Sequence, residues 1–172
     1  MVNYRIWYVV NLLLRSSCLC YYDSNKKNQE TLCDYGFVSK GNPFNKECFD
    51  VRIIRKAPVR VTIDQNGMLD SGSLALLRSY LTSEEDVFAR LLEDSSLTAT
   101  TVYAKKISDA NEEELYSFIA SFLDEAIYSG KSGLEWSKKK GDNLLEEYFS
   151  QRLHVLEKGM EKIKIKFPEL MY

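Results

Sequence analysis

The sequence predicts an α+β fold: a mostly antiparallel sheet of about five to six strands with three to four amphipathic helices packed on it. Three observations lead there. Apolar residues recur at three-then-four spacing between Asp109 and Gly130, the signature of a helix with one buried face. Side chains alternate at period two in residues 3–14, 59–63 and 163–167, as strands with two different faces require. The strand-like stretches cluster early, with no regular βαβ alternation, which favours an antiparallel sheet with helices on one side. At 172 residues the chain suits a single α+β domain over 1–172, interrupted by an irregular polar excursion at about 23–48.

In the first stretch Tyr4, Ile6, Tyr8, Val10, Leu12 and Leu14 share one face of a strand. The same residues also resemble a signal peptide, but Asn11 interrupts the apolar run and Arg15 falls where a small cleavage residue belongs. The run is also shorter than the roughly 20 apolar residues a bilayer span needs. Cys18–Tyr22 can pair back as a second strand. Two polar segments follow, DSNKKNQET and SKGNPFNKE, with a short strand expected at Leu32–Val38 between them.

Strands are expected at Phe49–Ile54 and Val59–Ile63, the second opened by Pro58, where a proline is tolerated. Asn66-Gly67 marks a tight turn because both residues accept positive φ. A helix over Leu74–Leu81, capped by Ser71 or Ser73, points Leu74, Leu77 and Leu81 inward. A second begins at a Thr82/Glu85 capping box and presents Val87, Phe88, Leu91 and Leu92 to the core. The β-branched run Thr98–Ile107 reads as a strand.

The principal helix runs from a cap at Asp109 or Asn111, with Glu112, Glu113 and Glu114 favoured by the helix dipole, to a stop at Gly130. A loop (KSGLEWSKKKGD) then carries Trp136. A fourth helix from Asp142 to about Lys158 ends at Gly159. The final strand sets Ile163, Ile165 and Phe167 against Lys162, Lys164 and Lys166, lysines of the kind that protect a sheet edge.

Composition narrows function. The net charge of −2 lacks the basic excess of a general nucleic-acid binder. The charge is uneven: residues 1–63 hold ten Lys/Arg against five Asp/Glu (+5), residues 64–127 four against thirteen (−9), residues 128–172 nine against seven (+2). Small basic groups at Arg52, Arg55, Lys56 and Arg60, and at Lys138, Lys139 and Lys140, could meet nucleic-acid phosphates or anionic lipid, but solubility is the commoner explanation and neither partner is favoured. Cys18, Cys20, Cys33 and Cys48 have a C-x-C spacing poorly suited to zinc, and unconnected thiols in a reducing, intracellular (cytoplasmic) setting are expected rather than a secreted disulfide protein. The chain has no N-x-Ser/Thr glycosylation acceptor.

Catalytic patterns are sparse. His154 is the sole histidine, no phosphate-cradling glycine motif occurs, and Asp64-Gln65-Asn66-Gly67 misses the ligand register of a calcium loop. No cofactor is expected. The leading expectation is a non-enzymatic interaction or assembly protein, a small viral structural protein of the matrix type being one example. Its contact residues would be Tyr21, Tyr22, Tyr35, Trp136, Lys138, Lys139 and Lys140, and its partner another protein or a second copy. The alternative is an acidic inhibitor or immunity-type protein that covers a basic partner with Glu84, Glu85, Asp86, Glu93, Asp94, Glu112 and Glu113. The rival is an enzyme in which Asp34, Asp50, Asp64, Asp109 or Cys33 converge in a pocket.

Overall fold

The computed structural model describes residues 25–53, 55–99 and 101–168 with their side chains, and 6–11 and 17–22 by their backbone. Among these residues the chain forms five α-helices and two separate two-stranded antiparallel sheets, so the expected five- to six-stranded sheet is not the framework. The chain divides into two compact units, Met1–Asn45 and Lys46–Tyr172.

In the first unit β1 (Ile6–Asn11) pairs antiparallel with β2 (Ser17–Tyr22), Ile6 opposite Tyr22 and Asn11 opposite Ser17. The remainder of the expected strand over 3–14 lies outside the described residues. The strand expected at Leu32–Val38 is not formed: the chain is helical through Tyr35 and irregular from Gly36. Helix α1 (Asn28–Tyr35) starts where the Glu30 carboxylate accepts the backbone N–H of Lys27 at 3.0 Å, and it stops at Gly36 in the left-handed region. The segment after it is polar but ordered. Asn28, 1% exposed, donates from Nδ2 to the Ser39 carbonyl at 3.1 Å, and its Oδ1 accepts from Asn42 Nδ2 at 3.1 Å. Asn45 Oδ1 accepts the Asn28 backbone N–H at 3.2 Å. Amides satisfying one another here replace the apolar contacts that sequence patterning looks for.

In the second unit β3 (Lys46–Val51) and β4 (Val59–Asp64) form a hairpin in which Phe49 faces Val61. Val59, Val61 and Ile63 are buried while Arg60 is exposed, the alternation expected. The Asn66-Gly67 turn forms as expected, with Gly67 at φ +78°. Helix α2 (Ser71–Leu81) is capped by Asp70, whose carboxylate accepts the Ser73 N–H at 2.8 Å, in place of a serine cap. Helix α3 (Glu84–Glu93) is capped by Ser83 rather than Thr82, which closes α2. Among the described residues of the strand expected over Thr98–Ile107 none is extended in a sheet: Val102–Ala104 form a single 3₁₀ turn, with Val102 and Ile107 buried.

Two long helices dominate. Helix α4 (Asp109–Lys140, 32 residues) is capped by Ser108 and ends at Gly141; α5 (Asn143–Lys166, 24 residues) is capped by Asp142. They form an antiparallel helical hairpin packed along their lengths. The expected stop at Gly130, loop over 131–142 and stop at Gly159 are therefore corrected, and close packing is the reason. A Cβ built on Gly130 would stand 2.9 Å from Leu153 Cδ2, and one on Gly159 would stand 3.2 Å from Ile63 Cδ1. These glycines let neighbouring elements approach and do not turn the chain. The expected edge strand at Ile163–Phe167 is the last turn of α5 and its cap: Ile163 is 2% exposed and Ile165 70%. Over five residues a helix with Met160, Ile163 and Phe167 inward shows the same lysine alternation as a strand.

The core is built from Val51, Val59, Val61 and Ile63 of the hairpin, Leu77 of α2, Leu115, Ile119 and Leu123 of α4, and Leu156 and Ile163 of α5. Among the described residues no helix is long and apolar enough to cross a membrane.

Candidate functional site

Helix α3 departs most from its expected role. Its spacing is that of a core helix, yet none of its residues is buried and none belongs to the core or packs against it. Phe88 is 64% exposed and Leu92 72%, while Val87 and Leu91 are half-buried. The expected inward face thus turns partly to solvent. A ten-residue helix is too short to be stable by itself. This one is capped at its start, where the Ser83 hydroxyl accepts the Asp86 N–H at 3.1 Å and the acids of the first turn suit the helix dipole, and it rests on the 3₁₀ turn Val102–Ala104.

The acidic residues expected to form one patch have different surroundings. Glu84, Glu85 and Asp86 are exposed at the start of α3, and among the described residues no basic side chain pairs with them. Glu93 accepts from Arg90 at 3.3 Å, and Asp94 lies 3.8 Å from Arg90 and 3.6 Å from Lys105. The Asp94 carboxyl is held below its ordinary pKa chiefly by the Ser96 hydroxyl and N–H. Glu113 is exposed on α4. Glu112 is no surface residue at all. It is 2% exposed and takes a bidentate pair from Arg78, Nε to Oε1 at 2.5 Å and the second nitrogen to Oε2 at 3.1 Å. Arg78 also donates to the Tyr103 carbonyl at 3.2 Å, so the pair ties α2 to α4 and to the 3₁₀ turn. Nothing in the sequence distinguished Glu112 from Glu113 beyond its place one turn before Tyr116.

Of the expected contact residues, Tyr35 is 45% exposed, stacked on Phe37 at 6.1 Å with Lys26 Nζ 5.0 Å from its ring centroid. Tyr21 and Tyr22 lie in β2, and their side chains are outside the described residues, as are those of Cys18 and Cys20. Trp136 is 52% exposed on α4, not in a loop, and Lys138, Lys139 and Lys140 are exposed in the helix's final turn, where cations offset the dipole. Cys33 is exposed on α1, and Cys48 is half-buried with its sulfur 3.6 Å from Thr62 Oγ1. No group of His, Cys, Asp or Glu among the described residues is arranged to hold a metal.

The candidate acids are occupied locally. Asp34 pairs with Lys26, Asp109 with Lys106 and Asp50 with Arg60 at 3.0 Å, while Asp64 Oδ1 accepts the N–H groups of Asn66 and Met68 at 2.8 and 2.9 Å. Asp50 and Asp64 sit four residues apart along the hairpin, about 13 Å at the rise of a strand, and so do not share a site.

One cleft opens beside the core. Open to solvent on one side, it offers about 270 Å³ between the hairpin turn (Gly67, Met68, Leu69), Leu74, Tyr116 of α4, and Lys162, Ile163 and Lys166 of α5. Its turn wall is fixed by contact with α5: a Cβ on Gly67 would lie 2.6 Å from the Lys158 carbonyl carbon, and Lys158 Nζ donates to the Gln65 carbonyl at 3.4 Å. Lys166 Nζ donates to the Tyr116 hydroxyl at 3.0 Å, lies 4.2 Å from that ring's centroid and reaches Glu112 Oε2 at 3.5 Å. Tyr116 is braced by Phe167, ring centroids 4.9 Å apart.

Neither the protein-family models nor the curated proteins contain a match to this chain.

Proposed function

We propose that the protein is a non-catalytic binding protein whose α3 face docks a protein partner carrying an apolar stripe or groove bordered by basic side chains. The observation that carries this reading is the exposure of Phe88 and Leu92 on an amphipathic helix that contributes nothing to the core. Covering both side chains would contribute about 2–4 kcal/mol to a complex, taking most of the gain of full burial for each. Exposed large apolar groups grouped on one helix are an interaction feature more often than a folding one.

Charge selects the partner. Glu84, Glu85 and Asp86 border the apolar stripe, and among the described residues no cation pairs with them, so a basic rim would be attracted and an acidic one repelled. The same charges oppose a second copy of the chain. Parallel pairing of two α3 helices sets first-turn acids against first-turn acids, and antiparallel pairing sets them against an end whose one cation, Arg90, is already engaged by Glu93 and Asp94. Association with another protein is therefore the reading, not self-assembly.

The test uses a defined probe, a synthetic amphipathic peptide of leucine and lysine, with a leucine–glutamate peptide of the same pattern as control. Fluorescence anisotropy should show binding of the basic peptide only, weakening as salt rises past physiological strength. The Phe88→Asp/Leu92→Asp variant should lose it while keeping its thermal midpoint. Equal binding of both peptides, or undiminished binding by the double variant, would overturn the reading.

A further inference from the structure

We infer that the cleft between the hairpin turn and α5 is a binding site for a small amphipathic carboxylate, an acyl chain of medium length ending in a single negative charge. The site is separate from the α3 face, and the inference does not depend on the reading given above. The walls supply the first half of the case. Met68, Leu69, Leu74 and Ile163 form an apolar lining, and a half-open cleft of about 270 Å³ suits a flexible chain better than a large ring system.

The polar groups supply the second half, and all of them donate. Lys162 and Lys166 stand one helical turn apart on α5, so both ammonium groups overhang one side of the cleft. Among the described residues no carboxylate pairs with Lys162. Tyr116 is 8% exposed, and its hydroxyl accepts from Lys166, which leaves the phenolic hydrogen to donate. No acceptor for that hydrogen occurs among the described residues.

Charge counting gives the sign of the ligand. Arg78 and Glu112 neutralise each other through two hydrogen bonds. Lys166 reaches the same carboxylate only at 3.5 Å and remains half exposed, so the cluster keeps one uncompensated positive charge beside the cleft, and Lys162 adds a second. A carboxylate placed between the two ammonium groups would accept from both and from the Tyr116 hydroxyl, its chain lying along Leu69, Leu74 and Ile163. A cationic or neutral head would leave those donors unanswered. The hydrogen bond that already holds Lys166 to Tyr116 preorganises two of the three donors.

The experiment is a titration of the full chain with octanoate, followed by amide chemical shifts in two-dimensional NMR, with octanol and octylammonium as controls of equal length. Octanoate should bind at one site, moving the signals of Gly67, Met68, Leu69 and Tyr116, and bind at least fivefold more tightly than either control. Lys162→Met, at an exposed position, and Tyr116→Phe, which keeps the ring against Phe167, should each weaken octanoate by about three- to tenfold without altering octanol. The inference is overturned if octanol or octylammonium binds as well as octanoate, if shifts fall elsewhere on the protein, or if neither variant changes the affinity. Failure here leaves the α3 reading untouched, because the probes and the residues differ.

Discussion

Removing Arg78 tests the buried pair on which the joint between α2 and α4 depends. In Arg78→Met a side chain of similar reach replaces the guanidinium, while Glu112, 2% exposed, keeps its carboxylate in the core. Its remaining cation, Lys166, stands at 3.5 Å and is half exposed, a poor substitute for two hydrogen bonds at 2.5 and 3.1 Å. The Tyr103 carbonyl also loses its donor. Leaving one member of a buried ion pair uncompensated costs about 3–5 kcal/mol. For a unit of this size that corresponds to a fall of roughly 10–20 °C in thermal midpoint. Exchanging both members, as Arg78→Met/Glu112→Leu, removes the stranded charge and should recover most of the loss, ending within about 1–2 kcal/mol of the parent. Urea unfolding of the parent, both single variants and the double variant forms a closed cycle, in which a coupling of about 2 kcal/mol or more is expected. A single variant that loses less than about 1 kcal/mol, or a double variant as unstable as the two losses added, would refute the reasoning.

Three other perturbations have signs set by the structure. Gly67→Ala combines a positive φ with a Cβ 2.6 Å from the backbone of Lys158, so it should destabilise by about 2–4 kcal/mol and shift the NMR signals lining the cleft; an unchanged midpoint would show that the turn does not sit on α5. Asn111 is buried with both side-chain polar atoms unpartnered among the described residues, so Asn111→Leu should raise stability by about 1 kcal/mol, and a loss of that size in urea titration would reveal a polar partner. The Asp70 carboxyl is held below the usual value first by the Ser73 hydroxyl and then by the Ser73 N–H. Its charge therefore contributes stability above the unfolded pKa of about 3.9, and the contribution fades as pH falls through the lower folded value. Asp70→Asn should be milder at neutral pH than loss of the cap, below about 1 kcal/mol, and should flatten the decline below about pH 4; parallel pH profiles for variant and parent would contradict this.

What could be read from the sequence was local, and what could not was decided by packing. Strand β4 followed from the alternation of Val59, Val61 and Ile63, and the turn from Asn66-Gly67, because both signals act within a few residues, whereas β3 begins at Lys46, three residues before the expected Phe49. The start of α4 was legible in its acids and in the spacing of Leu115, Ile119 and Leu123. Its continuation past Gly130 was not, since the reason lies in Leu153 of another helix, which needs the space a side chain would fill. The lysine alternation at 162–166 fits a strand and a helix end equally, and the exposure of Ile165 beside the burial of Ile163 decides for the helix. Among the site residues, the acids of the first α3 turn stand exposed as a patch requires. Glu112 does not, because its partner Arg78 is 34 residues away in the chain and no local pattern announces the pair.

Amide hydrogen exchange across the intact protein tests most directly whether α3 serves a partner and not the core. Amides of residues 87–93 should exchange much faster than those at the centres of α4 and α5 in the free protein, and should slow when the leucine–lysine peptide is added. Protection of α3 equal to that of α4 without any partner would contradict the claim, since it would place the helix within the cooperative core.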